Sequence, residues 1–322
     1  MLLPTHFKSL EDEYFHLKKD VQLWDVSVQK QIEVSGSDSY KLVQLMTCRD
    51  LSDAKVLKCY YVPLIDGNGN MINDPLVLKI EDTKWRICIA DSDVLLYAKG
   101  IADSMKLNVK IHETKISTLA VQGPKSLDVM KNVFGDEIGK LKFFNFNYFK
   151  FEDIDFMISK SGFSKQSGYE IYVENSKSGL KLYDYIIKIG NEFNLKPGCP
   201  NVIERIEGAL LSYGNDMDNN DNPFECGLDK YVNLESNIEF LGKKALQKVK
   251  LEGIKRKLMG VKINEKNINL TSELKLVDEN KETIGYLRSA VYSPRFKMIV
   301  GIAMINIEYC KDLSLIHISE PT

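Results

Sequence analysis

Three short segments of the sequence combine carboxylates, aromatic residues and glycine turns, a setting in which side chains can do chemistry. The segments are CYYVPLIDGNGNMINDPLVLKI at 59–80, SGFSKQSGYEIYV at 161–173 and ERIEGALLSYGNDMDNNDNPFECGL at 204–228. A carboxylate can accept several hydrogen bonds or take up a proton, and an aromatic ring can hold a cation over its face. These segments therefore contain the candidate functional residues, and the elements around them determine how each residue is presented.

The first segment predicts a hairpin whose return strand carries Asp74. Gly67 and Gly69 in the DGNGN turn accept positive φ easily and allow a tight reversal between two apolar stretches. Pro75 keeps Asp74 out of the helical region and lacks a backbone donor, so the strand ladder should be interrupted there. Taken alone, this pattern favours an aspartate that caps a turn over one that takes part in a reaction.

The second segment predicts a turn followed by a strand. The strand alternates, with Tyr169, Ile171 and Val173 on one face and Glu170 and Tyr172 on the other. A carboxylate on an otherwise apolar strand needs a hydrogen-bonding partner if it is buried. On local pattern alone, an exposed position is the more common one for such a residue.

The third segment is an amphipathic helix that carries Arg205 and leads into an acidic, Asn-rich turn ending near Glu225. Asp216 and Asp218 resemble a calcium loop only superficially, because the glycine and the terminal glutamate of such a loop are not at the required positions. The six cysteines form no CxxC pair, and the four histidines offer little for a zinc site or a catalytic triad. We therefore expect no metal.

The remaining pattern mixes helices of period 3.6 with short alternating strands, which predicts the α+β class with mostly antiparallel sheets. From about residue 239, the segments KLMGVKIN, IGYLRSAVY and MIVGIAMIN are short strands between polar turns, as in a small β-barrel. We expect one region at 1–238 and a C-terminal barrel module at 239–322. The chain ends in CKDLSLIHISEPT, and we interpret the tail from about 313 as non-native and the barrel as incomplete.

The amino-acid composition indicates which kinds of partner, among nucleic acids, membranes and small molecules, we expect the protein to bind. Lys and Arg total 43 against 45 Asp and Glu, so no basic face for nucleic acid is indicated. No apolar run approaches the roughly 20 residues of a membrane span, and acidic residues stand where a signal peptide needs an apolar core. These features favour a cytoplasmic protein with a small-molecule substrate, present as a monomer or a homodimer.

All three segments resemble, in the same order, those of the folate-dependent aminomethyltransferase family, whose best-known member is the T-protein of the glycine cleavage system. The resemblance implies two interleaved α/β lobes followed by a C-terminal barrel, with tetrahydrofolate in a central channel. It implies a catalytic role for Asp74 and hydrogen bonding of the pterin ring by Glu170, with Phe163 lining the pocket. Tyr61 and Arg205 complete the expected folate site.

The sequence also departs from the T-protein proper. Val28 replaces a histidine, Asn201 an arginine, Phe163 a tyrosine and Asn73 an aspartate. These changes agree with a member that moves a methyl group from a sulfonium to tetrahydrofolate. For such a member, Tyr172, Trp24 and Tyr60 are expected on the substrate side. The alternatives are aminomethyl transfer of the glycine-cleavage type and a non-catalytic folate-binding protein.

Overall fold

The computed structural model describes residues 3–89, 93–265, 268, 270, 273–310 and, for the backbone, 317–319. The α-helices are α1 (Leu10–Lys19), α2 (Ser39–Met46), α3 (Val94–Ser104), α4 (Ser126–Phe134), α5 (Ser176–Gly190), α6 (Val202–Glu207) and α7 (Lys243–Glu252). Short 3-10 helices span Asp136–Lys140, Asn191–Phe193, Asp229–Tyr231 and Ile307–Tyr309. None of the helices in this part of the chain is long and apolar enough to cross a membrane.

The strands of the first half are β1 (Val21–Asp25), β2 (Lys30–Ser35), β3 (Lys58–Tyr61), β4 (Leu64–Ile65), β5 (Met71–Asn73), β6 (Leu76–Glu81), β7 (Lys84–Ile89), β8 (Lys110–Glu113) and β9 (Ser117–Gln122). Those of the second half are β10 (Phe146–Phe151), β11 (Ile154–Ser159), β12 (Gly168–Val173), β13 (Leu195–Gly198), β14 (Arg256–Ile263), β15 (Leu274–Val277), β16 (Thr283–Ser293), β17 (Met298–Asn306) and β18 (His317–Ser319). Their mixture with the helices confirms the predicted α+β class.

The chain forms two compact units, each built from separate stretches of sequence. The first unit comprises Met1–Tyr40, Ala54–Tyr61 and Leu76–Gly208, and the second comprises Lys41–Asp53, Val62–Pro75 and Ala209–Thr322. The expected division of the chain at residue 238 stays a prediction.

The first unit contains two sheets. One has six strands in the order β10-β11-β12-β9-β1-β13, with all neighbours antiparallel except β1 and β13. The other has five antiparallel strands in the order β3-β6-β7-β2-β8. Both sheets contribute to one buried cluster, which contains Cys59 and Leu78 from the smaller sheet and Met157 and Tyr172 from the larger. The two sheets therefore face each other across this cluster.

The opposite face of the six-stranded sheet packs on helices. Val121, Ile171 and Val173 from its strands share a core cluster with Val129 of α4 and Leu182 of α5. Because both faces are covered, every residue of β12 is buried. The strand that carries Glu170 is therefore a central strand with two buried faces, where alternation alone had favoured an exposed position for that glutamate.

The second unit contains the hairpin β4-β5 and a five-stranded antiparallel sheet in the order β14-β17-β16-β15-β18. The three strands predicted beyond residue 239 are β14, β16 and β17. Within the described ranges, the sheet is open and does not close into a barrel, which agrees with the expectation of an incomplete one. The tail expected to be non-native lies outside the described residues, apart from the backbone of β18.

Candidate functional site

The hairpin β4-β5 belongs to the second unit and leads to Asp74. Its turn is built around Asp66, whose carboxylate accepts the backbone N–H groups of Asn68 at 2.8 Å and Asn70 at 2.9 Å. Gly69 closes the reversal at φ +81°, a conformation that glycine adopts without a Cβ penalty. The predicted tight turn is therefore present, with Gly69 and not Gly67 in the left-handed region.

Asp74 lies at an interruption between strands. β5 ends at Asn73 and β6 begins at Leu76, so Asp74 and Pro75 fall outside the regular ladder. The backbone N–H of Asp74 donates to Asn73 Oδ1 at 3.0 Å, and the carbonyl of Pro75 accepts from the backbone N–H of Val62 at 3.0 Å. The side chain is half-buried. These two hydrogen bonds fix the backbone on either side of Asp74, which suits a carboxylate that must be kept in one place.

The charge of Asp74 acts on a neighbouring thiol of the same unit. Burial raises the pKa of Cys226 strongly, and the carboxylates of Asp221, Glu225 and Asp74 raise it further. Both effects favour the neutral form of the Cys226 thiol over the nucleophilic thiolate.

Glu170 lies in the first unit and is buried, with 8% of its surface exposed. It points from β12 toward the face shared with Tyr172, while Tyr169, Ile171 and Val173 join the cluster on the other face, as predicted. Ser161 donates a short hydrogen bond to Glu170 Oε2. Burial raises the pKa of Glu170, and the bond from Ser161 opposes the rise. A carboxylate accepts up to about four hydrogen bonds, so this one can take paired N–H donors of a flat ring.

Tyr172 shares that face with Glu170. Its hydroxyl lies 3.2 Å from Ser159 Oγ, and burial raises its pKa well above the usual value for tyrosine. The structure thus brings Glu170 and Tyr172 together through two serines that the sequence analysis did not single out. No local signal identified Ser159, because its place directly opposite Glu170 in the β11-β12 ladder depends on the register between the two strands.

Phe163 lies half-buried in the turn between β11 and β12. The turn closes around Gln122, which donates to the carbonyl of Ser161 at 3.1 Å and accepts from Ser164 Oγ at 2.8 Å. A Cβ at Gly162 would come within 2.1 Å of the Gln122 amide, so a larger residue there would have to displace this buried side chain from its hydrogen bonds. Gln122 is therefore a supporting residue of this turn that the sequence analysis missed.

The three other aromatic candidates lie on two different strands of the first unit. Trp24 on β1 is fully buried, and its indole N–H donates to Gln22 Oε1 at 2.8 Å within a core cluster. Tyr60 and Tyr61, at the end of β3, are partly exposed, and the Tyr60 hydroxyl accepts the backbone N–H of Lys55 at 2.8 Å. The roles expected for these three residues stay predictions.

Arg205 lies on α6, one of the helices of the first unit. Asn201 caps this helix by accepting the N–H groups of Ile203 at 3.0 Å and Glu204 at 3.2 Å, and its amide donates to the carbonyl of Leu10 at 3.0 Å. The position at which the T-protein has an arginine therefore holds the start of the helix in this chain. Arg205 itself is half-buried, and its role in folate binding stays a prediction.

Glu225 and the acidic turn form an ion-pair network in the second unit. Asp221 is fully buried and pairs with Arg256 at 2.9 Å and Arg288 at 3.3 Å. Glu225 pairs with Arg256 Nε at 3.1 Å. Burial raises the pKa of Asp221, and the two arginines oppose the rise. These pairs give the turn an architectural role, and no cluster of metal-ligating side chains occurs in the described ranges.

The family described as GCVT N-terminal domain matches residues 1–236 of the chain. The chain belongs to this family. A dimethylsulfoniopropionate demethylase, DmdA, of Ruegeria pomeroyi is 38% identical over 306 residues, which cover 95% of this chain and 83% of that protein. An aminomethyltransferase of Thermoanaerobacter pseudethanolicus is 30% identical over 316 residues, which cover 96% of this chain and 84% of that protein.

A solved structure agrees at the level of fold. The glycine cleavage system aminomethyltransferase T of Bartonella henselae superposes with a TM-score of 0.86 at 20% identity, covering 97% of this chain and 85% of that one. The expected T-protein-like fold is thereby confirmed.

Proposed function

We propose that this protein is a tetrahydrofolate-dependent demethylase. It transfers a methyl group from dimethylsulfoniopropionate to N5 of tetrahydrofolate and gives methylmercaptopropionate and 5-methyltetrahydrofolate. The observation that carries the proposal is the 38% identity to a dimethylsulfoniopropionate demethylase over 95% of this chain. The aminomethyltransferase compared above is less similar, at 30% identity.

The departures from the T-protein pattern support the same choice. Val28 and Asn73 replace polar or acidic groups of that pattern with residues that cannot do the same chemistry. The Asn201 side chain caps α6 and donates a hydrogen bond to the carbonyl of Leu10. The chain thus keeps the carboxylates expected for folate chemistry, while groups characteristic of the T-protein proper are replaced.

Glu170 is the residue proposed to hold the pterin ring. Ser161 supplies one hydrogen bond to its buried carboxylate, which leaves capacity for further donors on a group that accepts about four. A flat ring with adjacent N–H groups matches a carboxylate in a bidentate manner, and such charge-assisted bonds are strong. Phe163, Tyr61 and Arg205 are proposed to complete the folate site.

Asp74 is the proposed catalytic residue. When bound, tetrahydrofolate supplies the nucleophilic N5, to which the methyl group passes in line as the S–C bond breaks, its electron pair stays on sulfur and the N5 proton is released. Asp74 either orients N5 and receives that proton or pairs with the sulfonium cation. A sulfonium methyl group is already activated, so the protein acts mainly by positioning the reactants and excluding water.

The aromatic residues Tyr172, Trp24 and Tyr60 are proposed to act on the substrate side. A ring face attracts a cation by about 0.5–2 kcal/mol, depending on how far the pair is removed from water. The substrate carboxylate needs a donor, for which Tyr172 and Lys165 are the candidates. We further propose a cytoplasmic monomer or homodimer that binds no nucleic acid.

The direct test is to incubate the purified chain with tetrahydrofolate and dimethylsulfoniopropionate and to follow both products by mass spectrometry. The proposal expects 5-methyltetrahydrofolate and methylmercaptopropionate in equal amounts. Product formation only with a glycine-derived aminomethyl donor would replace it with the aminomethyltransferase function. Folate binding without any methyl transfer from the sulfonium would leave a non-catalytic folate-binding protein.

A further inference from the structure

Four buried side chains of the first unit form a continuous chain of hydrogen bonds. The Tyr172 hydroxyl lies 3.2 Å from Ser159 Oγ, Ser159 Oγ lies 2.6 Å from Ser161 Oγ, and Ser161 bonds to Glu170. All four residues are buried, and the two serines are almost fully enclosed, at 0% and 3% exposure. The chain connects the carboxylate proposed to bind the pterin to a tyrosine proposed to face the substrate.

The carboxylate determines the direction of every bond in this chain. An ionised Glu170 can only accept, so Ser161 must donate its single proton to it. Ser161 then accepts from Ser159, and Ser159 in turn accepts from the Tyr172 hydroxyl. Each proton points toward Glu170, and the bonds polarise one another in the same sense.

The other neighbour of Tyr172 leads to the same orientation. The Cys88 thiol donates to Gln31 Oε1 at 2.7 Å, so its proton is not available to Tyr172. A hydrogen bond from Tyr172 to the sulfur is among the causes acting on the pKa of Cys88. A thiol sulfur is a weak acceptor, so the Ser159 oxygen is the stronger partner and the tyrosine proton points to it. The Tyr172 oxygen therefore faces any further ligand as an acceptor.

We propose that Ser159 and Ser161 are positioning residues, whose hydroxyls hold the Glu170 carboxylate for folate and turn the Tyr172 oxygen, as an acceptor, toward the sulfonium cation. The Tyr172 part of this inference rests on the proposed function, whereas the Glu170 part requires only folate binding. It assigns the substrate carboxylate to a donor other than Tyr172, such as Lys165.

The apolar surroundings of these hydrogen-bonded side chains indicate that their hydroxyl groups have a specific role. The chain of hydrogen bonds lies beside the apolar cluster between the two sheets, where Met157 and Tyr172 pack together. Polar groups in such a place cost stability unless each one is hydrogen-bonded, and apolar residues would fill the same space without that cost. The two serines therefore have a role that packing alone does not provide. Holding a buried carboxylate in its ionised form is such a role.

The first experiment measures tetrahydrofolate binding by calorimetry across a pH range in Ser161→Ala. Removing a hydrogen bond to a charged group makes Glu170 easier to protonate, and a protonated carboxyl loses an acceptor. The affinity should therefore begin to fall at a higher pH than in the wild type, by about one pH unit. Ser161→Thr, which keeps a hydroxyl, should restore the wild-type profile.

The second experiment uses Ser159→Ala, which leaves the bond between Ser161 and Glu170 in place but disconnects Tyr172. The pH profile of folate binding should stay close to that of the wild type. The KM for dimethylsulfoniopropionate should rise by about three- to tenfold, the loss of roughly one neutral hydrogen bond. Ser178→Ala is the matched control, because Ser178 is also a buried serine. Within the described residues, its hydroxyl forms one hydrogen bond, which it donates to the Asn175 carbonyl at 2.9 Å.

The results separate this inference from the proposed function. If folded Ser161→Ala binds tetrahydrofolate with the same pH dependence as the wild type, the proposed role of the two serines is wrong. This holds even if the wild-type protein demethylates dimethylsulfoniopropionate at full rate. A shifted profile supports that role, even if no methyl group leaves dimethylsulfoniopropionate and the proposed function fails. A Ser178→Ala variant with the same pH shift would reduce the effect to general destabilisation and would also overturn the inference.

Discussion

Replacing Glu170 by Gln should separate ligand binding from stability. Gln keeps the shape of the side chain but removes its charge and turns one acceptor oxygen into a donor. Of two N–H groups presented by a bound ring, one would then meet an N–H group instead of an oxygen. A hydrogen bond to a charged group contributes about 1.5–3 kcal/mol, so the Kd for tetrahydrofolate should rise by roughly 10- to 150-fold.

The same change should not destabilise the fold at neutral pH. Burial raises the folded-state pKa of Glu170 above its unfolded value. Stability associated with this group is therefore fully present below the unfolded pKa and is lost as pH rises through the folded pKa. Gln has no proton to lose, so the variant should have a Tm at least equal to that of the wild type at pH 7 to 8, and a weaker dependence of Tm on pH.

The assay pairs calorimetric titration with thermal unfolding of the same samples. Glu174→Gln is the control, because Glu174 follows the same strand but has 73% of its side chain exposed. It should leave both the Kd and the Tm nearly unchanged. A Glu170→Gln protein with wild-type affinity for tetrahydrofolate and a lowered Tm would refute the reasoning and make Glu170 a structural residue.

Three further outcomes are expected. Asp74→Asn should lower kcat by about 10²- to 10⁴-fold with little change in Tm, and unchanged turnover would exclude both roles proposed for this residue. Gly162→Ala should reduce the free energy of unfolding by about 1–3 kcal/mol in denaturant titration, because its Cβ would lie 2.1 Å from the buried Gln122 amide. Burial raises the pKa of Cys48 and of Cys88 to about 12, so both thiols should resist alkylation of the native protein at pH 8, as peptide mass mapping can check.

Local pattern was sufficient for the elements that carry the candidate site. The alternation of SGFSKQSGYEIYV placed Glu170 and Tyr172 on one face of β12, and the cluster memberships confirm it. Pro75 predicted the interruption at Asp74, because a residue without a backbone donor cannot continue the ladder. Both predictions rest on the geometry of neighbouring residues, which does not depend on the rest of the fold.

Burial and hydrogen-bonding partners could not be inferred in the same way. An isolated strand pattern favoured an exposed Glu170, but β12 lies between β11 and β9 and is covered on both faces. The ion pair between Glu225 and Arg256 likewise joins residues that no local pattern connects. Such contacts join residues far apart in sequence, and the local hydrophobic periodicity of a segment does not predict them.

The sequence by itself determined the class of fold, the face of β12 on which Glu170 and Tyr172 lie and the interruption of the strand at Asp74, because these follow from residue type and short-range spacing. The tertiary structure alone decided that the Glu170 carboxylate is buried, that Ser159 and Ser161 join it to Tyr172, and that Asn201 caps α6. The physical reason is that burial raises the cost of an unpaired polar group. The partners that offset this cost come from whichever strands the fold brings together.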